Sequence, residues 1–88
     1  MRTLEDTKDF MMSSDYKERF IAEYQQLKIR AEKLRKYICK IDAVEKFGAS
    51  ISAPHDCSKY LLNCQYDAMM EYLQILEIRA MIENIELE

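Results

Sequence analysis

A run of apolar residues at alternating steps of four and three constrains this chain more than any other feature. The run lies within residues 15–46, which contain no Gly or Pro. Such steps keep the side chains on one face of an α-helix, so the spacing predicts one long amphipathic helix that needs a partner helix. This apolar seam consists of Phe20, Tyr24, Leu27, Ala31, Leu34, Ile38 and Ile41.

Capping residues define the ends of this helix and of a second one. Asp15 is a good N-cap, and Glu18 three residues later completes a capping box. Gly48 stands where a helix C-terminus favours a left-handed residue, and Pro54 opposes helix just before it. The sequence therefore predicts a helix over 15–46, a turn over 47–56 and a second helix over 57–86, capped by Asp56 or Ser58.

Residues 1–14 have two interpretations. Thr3 with Asp6 is able to cap a short helix that carries Leu4, Met11 and Met12. The same residues also fit a loose arm, because chain termini fray unless they are tied down. The predicted fold is thus all-α, a long antiparallel two-helix hairpin over 15–88 preceded by an arm or a short helix.

The second helix carries two apolar stripes, whereas a helix in a free hairpin needs only one. Two helices also bury little core, and small chains often depend on oligomers. We therefore expect a homo-oligomer, most simply a dimer that forms a four-helix bundle. The alternative is that residues 1–14 cover the second stripe. The predicted interface residues are Leu61, Ala68, Tyr72, Ile75, Ile78, Ile82 and Ile85.

Charge is distributed unevenly between the two helices. Residues 15–46 carry nine Lys or Arg and six Asp or Glu, whereas residues 56–88 carry two and seven. The acidic second helix would repel a nucleic-acid duplex, so nucleic acid is not an expected partner. No apolar run reaches the roughly 18–20 residues of a membrane helix, and the acidic start lacks the apolar core of a signal peptide.

A basic flank of the first helix is the candidate ligand site. Six Lys or Arg and one Glu lie between residues 28 and 40. Several cations around a tyrosine suit an anionic ligand with a flat ring, such as a nucleotide, because the cations meet phosphate and the phenol stacks on a base. The alternative is a solvated basic face. The candidate ligand-binding residues are Arg30, Lys33, Lys36, Tyr37 and Lys40.

No metal, cofactor or catalytic site is predicted. Three cysteines without a close pair favour free thiols in a reducing compartment. A zinc site from Cys39, Cys57, Cys64 and His55 is geometrically conceivable, but structural zinc sites nearly always use closely spaced ligand pairs. The sequence has no Gly-rich phosphate loop and no nucleophile–histidine set, so we expect a protein that is not an enzyme.

Two segments resemble a group of short, mostly uncharacterised proteins of tailed phages and prophages. They are YKERFIAEYQQLKIRAEKLRKYI (16–38) and LLNCQYDAMMEYLQILEIRAMIENIEL (61–87). The second matches the group's pattern at Leu61, Leu62, Gln65, Met69, Tyr72, Leu73, Leu76 and Arg79.

The resemblance implies a phage accessory protein that acts in the cytoplasm of the bacterial host. Small phage proteins of this helical-hairpin type include oligomeric sponges that sequester nucleotide immune signals, and others that block host proteins. We therefore expect a non-enzymatic counter-defence protein that binds an anionic nucleotide-type signal as a homo-oligomer. The alternative is an inhibitor or adaptor that docks a host defence protein through its apolar second helix.

Overall fold

The protein is a helical hairpin with a short helical arm at its start. The computed structural model describes residues 3–47 and 57–87, and all regular structure within these ranges is helical. A 3-10 turn (Glu5–Thr7) leads into α1 (Lys8–Met11), which is followed by α2 (Tyr16–Phe47) and α3 (Lys59–Glu83). The two long helices pack against each other in antiparallel directions, so the predicted hairpin is confirmed.

The start of α2 depends on a network of short polar side chains. The Lys17 N–H donates to Asp15 Oδ1 at 3.0 Å, which makes Asp15 the predicted N-cap. Glu18 does not reach the Asp15 N–H directly as a simple capping box would require. Instead, Asp15 N–H donates to Ser13 Oγ (3.0 Å) and the Ser13 hydroxyl donates to Glu18 (3.1 Å). The Ser13 hydroxyl therefore bridges the Asp15 N–H and the Glu18 carboxylate, which a simple capping box would join directly.

The ends of α3 differ in how well the sequence predicts them. Ser58 caps the N-terminus by accepting the Leu61 N–H at 3.2 Å, whereas Gly48, Pro54 and Asp56 lie outside the described residues. The helix ends at Glu83, three residues before the expected end. Asn84 adopts a left-handed conformation (φ 56°), and the following N–H, from Ile85, bonds to the Ala80 carbonyl at 2.9 Å. This closure is the usual way to end a helix.

The closure at Asn84 corrects one predicted interface residue. It turns the chain back toward α2 and buries Ile85, which is only 7% exposed. Ile85 therefore belongs to the core of the monomer and does not continue the outward-facing stripe of α3.

The core between α2 and α3 consists of two clusters. The larger one lies toward the N-terminus of α2, and the smaller one, near the other end of the hairpin, contains Ile38, Ile41 and Leu62. Tyr66 packs against both clusters. The larger cluster contains Phe20, Tyr24, Ala31, Leu73, Leu76, Ala80 and Ile85.

Residues 3–12 form a docked arm. Thr3 and Asp6 make a reciprocal capping box, with N–H to side-chain distances of 3.2 and 3.3 Å. Thr7 is completely buried, donates its hydroxyl to the Leu4 carbonyl at 2.6 Å and accepts the Gln26 amide at 2.9 Å. Within the described ranges the arm contacts α2 and not α3. The described part of the arm therefore does not cover the second stripe of the second helix, as the alternative interpretation would require.

Polar side chains join α2 to α3 at three levels. Tyr16 and Tyr24 donate to Glu83 and Glu77 at 2.9 and 2.7 Å. Tyr72 on α3 donates to Glu23 on α2, so here the donor lies on the other helix. Near the turn, Lys59 Nζ lies 2.5 Å from an Asp42 oxygen and 3.1 Å from a Glu45 oxygen. These pairs fix the register of the hairpin along its length.

Candidate ligand-binding groove

A groove of about 690 Å³ runs between α2 and α3. Its volume lies in the range of about 300–1,000 Å³ that is typical of small-molecule sites. The α2 wall consists of Tyr24, Lys28, Ala31, Glu32 and Arg35, and the α3 wall of Tyr66, Met70, Glu71, Leu73, Gln74 and Glu77.

The groove exists because one seam position is small. Ala31 stands between larger seam residues and is only 2% exposed, so its methyl group forms part of the floor with Leu73. A larger side chain at residue 31 would fill the space between the helices. The small residue leaves room for a ligand without interrupting the core on either side.

The α2 wall presents two cations. Lys28 and Arg35 are separated by seven residues, or about 10 Å along a helix at 1.5 Å per residue. Both are exposed, and Glu32 lies between them on the same wall. A flexible ammonium and a planar guanidinium at this spacing suit a ligand with phosphate oxygens, because both groups are strong donors to anions.

The α3 wall presents acceptors and an apolar surface. Glu71 and Glu77 contribute carboxylates and Gln74 an amide. The carboxylate of Glu77 is fixed by the Tyr24 hydroxyl at 2.7 Å. Burial, together with this hydrogen bond, raises the pKa of Tyr24 to about 12, so its hydroxyl stays protonated and continues to donate well into the alkaline range.

Tyr66 and Met70 supply the apolar part of the groove. Tyr66 is half-buried because it packs against both core clusters, whereas Met70 is 44% exposed. An aromatic ring and a polarizable thioether are suitable contacts for a flat ring. The groove thus combines two cations, two carboxylates, of which that of Glu77 is fixed by Tyr24, and a stacking surface.

The sequence-predicted ligand residues lie elsewhere on α2. Four of the five, Arg30, Lys33, Lys36 and Lys40, are exposed on the other side of the seam. Tyr37 is half-buried and packs against the smaller core cluster. None of the five lines the groove. They form a convex basic surface along a single helix.

Sequence reasoning missed Lys28 and Arg35 because it chose the cations that share one flank of α2 with Tyr37. One signal was present. Lys28 and Arg35 lie about 60° and 40° from the small seam residue Ala31 when α2 is drawn at 100° per residue. A small seam residue flanked by cations marks where a groove opens, but only the α3 wall shows that it does.

The predicted second stripe of α3 is exposed apart from Ile85. The exposed fractions are 60% for Leu61, 50% for Ile75 and Ile78, and 75% for Ile82. Ala68 and Tyr72 are exposed as well, although Tyr72 bonds through its hydroxyl to Glu23. In the monomer, this face of α3 has no protein packed on it within the described residues.

A smaller hollow of about 310 Å³ beside Tyr16, Arg19, Phe20, Glu23 and Arg79 has a structural role. Arg79 lies over the Phe20 ring at 5.0 Å and donates to Glu83 at 3.1 Å. It also donates to the Tyr16 hydroxyl at 2.6 Å, and Arg19 donates to the Ser13 carbonyl at 2.9 Å. Its two arginines are therefore already engaged within the protein.

The described residues include no group of three or more His, Cys, Asp or Glu placed to hold a metal ion. Cys39 and Cys64 are exposed free thiols, Cys57 is exposed as well, and His55 lies outside the described residues. Neither long helix, over its described length, is apolar enough to span a membrane.

Comparison with known families identifies the chain. The family model named Sequestin matches residues 14–82, which include α2, all of α3 but its last residue, and the whole groove. No curated protein and no solved structure matches the chain significantly. Because the match extends over most of the sequence, the chain belongs to the Sequestin family.

Proposed function

We propose that this Sequestin-family protein is not an enzyme but binds and sequesters an anionic nucleotide-type signal in the groove between α2 and α3, as a homo-oligomer. The family name supports a sequestering role. The observation that carries the ligand class is the combination, in one groove, of two cations, a stacking surface and two carboxylates.

The groove matches a nucleotide better than a simple anion. Lys28 and Arg35 meet phosphate oxygens, and Tyr66 with Met70 covers a face of the base. The carboxylates of Glu71 and Glu77 would repel inorganic phosphate, but they accept hydrogen bonds from ribose hydroxyls and from exocyclic amines. A ligand with all three parts therefore uses the whole groove, whereas inorganic phosphate uses only one wall.

The basic surface at residues 30–40 has a supporting role in this proposal. Arg30, Lys33, Lys36 and Lys40 are exposed and do not line the groove. Charges placed this way raise the encounter rate of an anion with the helix and contribute less to holding it. The surface thus attracts the ligand, and the groove retains it.

We further propose that the protein acts in counter-defence for a phage in the bacterial cytoplasm. Support comes from the resemblance of residues 16–38 and 61–87 to small phage proteins that include sponges for immune signals. A sponge works by stoichiometric binding. It therefore needs affinity and abundance, and it needs no catalytic group.

Calorimetry against a panel of cyclic and linear mono- and dinucleotides tests the ligand class. We expect at least one nucleotide to bind, inorganic phosphate to bind far more weakly, and Arg35→Ala to weaken nucleotide binding. The nucleotide should also be recovered unchanged after incubation. Absence of binding across the panel would reject the proposal, and conversion of the nucleotide would reject its non-enzymatic part.

The exposed stripe of α3 supports a second candidate function, in which a host defence protein docks on Leu61, Ile75, Ile78 and Ile82. This inhibitor would retain a stoichiometric host protein in a pull-down. Ile78→Glu would abolish that capture and Arg35→Ala would not. A protein that sequesters a nucleotide should recover no such partner.

A further inference from the structure

Glu32 places a carboxylate between the two cations of the groove. It lies on the α2 wall four residues after Lys28 and three residues before Arg35. Side chains at these spacings are neighbours on a helix surface, with Cβ atoms about 5–6 Å apart. The carboxylate is therefore close to both positions at which a phosphate group would bind.

The fold itself does not use these three charges. Within the described residues Glu32 forms no ion pair, and neither do Lys28 and Arg35. Opposite charges near the turn of the hairpin do pair, as Lys59 does with Asp42. The three side chains on the groove wall are all exposed, so a ligand in the groove meets each of them as a separate charge.

The register of the hairpin is constant along the groove. The Tyr24–Glu77 hydrogen bond and the Asp42–Lys59 ion pair each join α2 to α3. They are separated by the same number of residues on both helices, from 24 to 42 on α2 and from 59 to 77 on α3. The residue opposite each position of α2 can therefore be counted along α3.

This register orders the groups along the groove. Lys28 lies opposite Leu73 and Arg35 lies opposite Tyr66. Glu32 lies between these two levels, within one residue of the level of Met70. A ligand that extends from one cation to the other therefore passes the Glu32 carboxylate.

The Tyr24–Glu77 hydrogen bond closes the end of the groove beside Lys28. It joins the two walls at 2.7 Å and holds the Glu77 carboxylate about 6 Å along the helix from the level of Lys28. Lys28 thus has a carboxylate on either side of it, at Glu77 and at Glu32. One phosphate group fits at the ammonium, whereas a second phosphate joined to the first is brought toward a carboxylate in either direction.

We infer that Glu32 is a specificity-determining residue of the groove, which admits ligands with single or separated phosphates and excludes nucleoside triphosphates. A protein rejects a competitor most effectively by placing an unfavourable contact against it. Here the contact is repulsion between the Glu32 carboxylate and contiguous phosphates. At a distance of about 6 Å near a protein surface, such repulsion lowers affinity by about tenfold or more.

The balance of charge in the whole groove acts in the same direction. The three carboxylates of Glu32, Glu71 and Glu77 outnumber the two cations. Once Lys28 and Arg35 each have a phosphate partner, every further negative charge on the ligand adds repulsion. A ligand with two phosphodiesters carries one charge at each, which matches the two cations. A ribose hydroxyl or a base amine between the phosphates donates to Glu32.

Exclusion of triphosphates matters for a protein that sequesters a signal. Nucleoside triphosphates are abundant in every cell, and a groove that bound them would be occupied before a signal is made. Stoichiometric capture depends on the difference between the two affinities. The inference therefore rests on the proposed function and names the residue that keeps the groove free for its ligand.

Calorimetry on the wild type and on Glu32→Gln tests the inference. The probes are ATP, GTP, cyclic AMP, cyclic GMP, cyclic di-AMP and cyclic di-GMP. Glutamine keeps the shape of the side chain and removes its charge. We expect ATP and GTP to bind Glu32→Gln at least about tenfold more tightly than the wild type. The ratio of affinities between the tightest-binding cyclic nucleotide and ATP should fall by about the same factor.

Glu86→Gln is the matched control. It removes the same charge at an exposed residue outside the groove, so it should keep the selectivity of the wild type. An equal gain in triphosphate affinity in this control would assign the effect to net charge and overturn the inference. Unchanged or weaker triphosphate binding in Glu32→Gln would overturn it as well.

The same measurements separate this inference from the proposed function. If the wild type binds ATP as tightly as every cyclic nucleotide, the groove is a nucleotide site without this selectivity, and only the role of Glu32 is overturned. If none of the probes binds either protein, the nucleotide proposal is rejected and the inference that rests on it is rejected too.

Discussion

Tyr24 contributes both to the hydrophobic core and to the wall of the groove. It is buried in the larger core cluster, and its hydroxyl donates to Glu77 on the groove wall. Tyr16 and Tyr72 make similar bonds at the surface. The part-buried Tyr24–Glu77 pair should contribute most, because fully exposed pairs exchange one hydrogen bond for another with water.

Removal of the Tyr24 hydroxyl should destabilise the hairpin measurably. Tyr24→Phe keeps the packing but leaves Glu77 without its donor, so we expect the free energy of unfolding to fall by about 1–2 kcal/mol. Urea denaturation followed by circular dichroism measures this change. Tyr60→Phe, at a largely exposed tyrosine, is the matched control and should change nothing. Equal effects of the two substitutions would contradict the role given to Tyr24.

The pKa of Tyr24 predicts how stability depends on alkaline pH. Its pKa is raised to about 12 in the folded protein, from 10.0 in the absence of the fold. Below pH 10 both states hold the proton and the full contribution is present. Between pH 10 and 12 the unfolded chain loses the proton first, so stability falls as the pH rises.

Hydrogen bonds to Glu83 and Glu23 raise the pKa of Tyr16 and Tyr72 in the same direction. The wild type should therefore lose stability in urea between pH 9 and pH 11, and Tyr24→Phe should lose less. An equal loss in both proteins would show that Tyr24 does not titrate in this way.

At the scale of the element, the docking of the arm depends on Thr7. Its hydroxyl is the only polar group of Thr7's side chain, and it joins Leu4 to Gln26 on α2. Thr7→Val keeps the shape but leaves both partners without a bond in a buried place. We expect amide hydrogen exchange in α1 to rise by about tenfold or more, since an unmade buried bond costs 1–3 kcal/mol.

Thr7→Ser is the matched control for this arm, because it keeps the hydroxyl. Exchange in α1 should remain close to that of the wild type. If Thr7→Val leaves the protection of α1 unchanged, the arm is docked by its apolar contacts instead.

The helix boundaries were predictable from the sequence where a local capping residue determines them. The seam and the Asp15 cap place the start of α2 within one residue, and Ser58 was one of two expected caps for α3. The C-terminus of α3 was not predictable from pattern, because residues 85–87 continue the apolar spacing. The helix ends because the left-handed Asn84 turns the chain so that Ile85 packs into the core against α2. This is an effect of tertiary packing, which the local sequence does not show.

The candidate site was predictable only in part. Cation density correctly indicated α2 as the basic helix, yet the groove lies on the other side of the seam from Lys33 and Lys40. Its position depends on what α3 places opposite Ala31, namely Tyr66 and Met70. No property of α2 alone contains that information.

At the scale of the whole molecule, separation of charge gives the protein a positive and a negative helix. If the basic surface attracts the ligand, Lys33→Gln with Lys40→Gln should lower the association rate of the tightest-binding nucleotide of the panel and leave its dissociation rate unchanged. The difference should vanish at high ionic strength, where charges are screened. Stopped-flow binding at low and high salt measures both rates. An increase in the dissociation rate would mean that the surface holds the ligand.

The central claim is that the groove retains a nucleotide. The most direct test is calorimetry with that same nucleotide on two charge-reversed proteins, Lys28→Glu with Arg35→Glu and Lys33→Glu with Lys40→Glu. Both pairs change the net charge equally, and all four residues are exposed on α2. We predict that the groove pair abolishes binding and that the surface pair keeps most of the affinity. Loss of binding only in the surface pair would contradict the account and place the ligand on the convex face of α2.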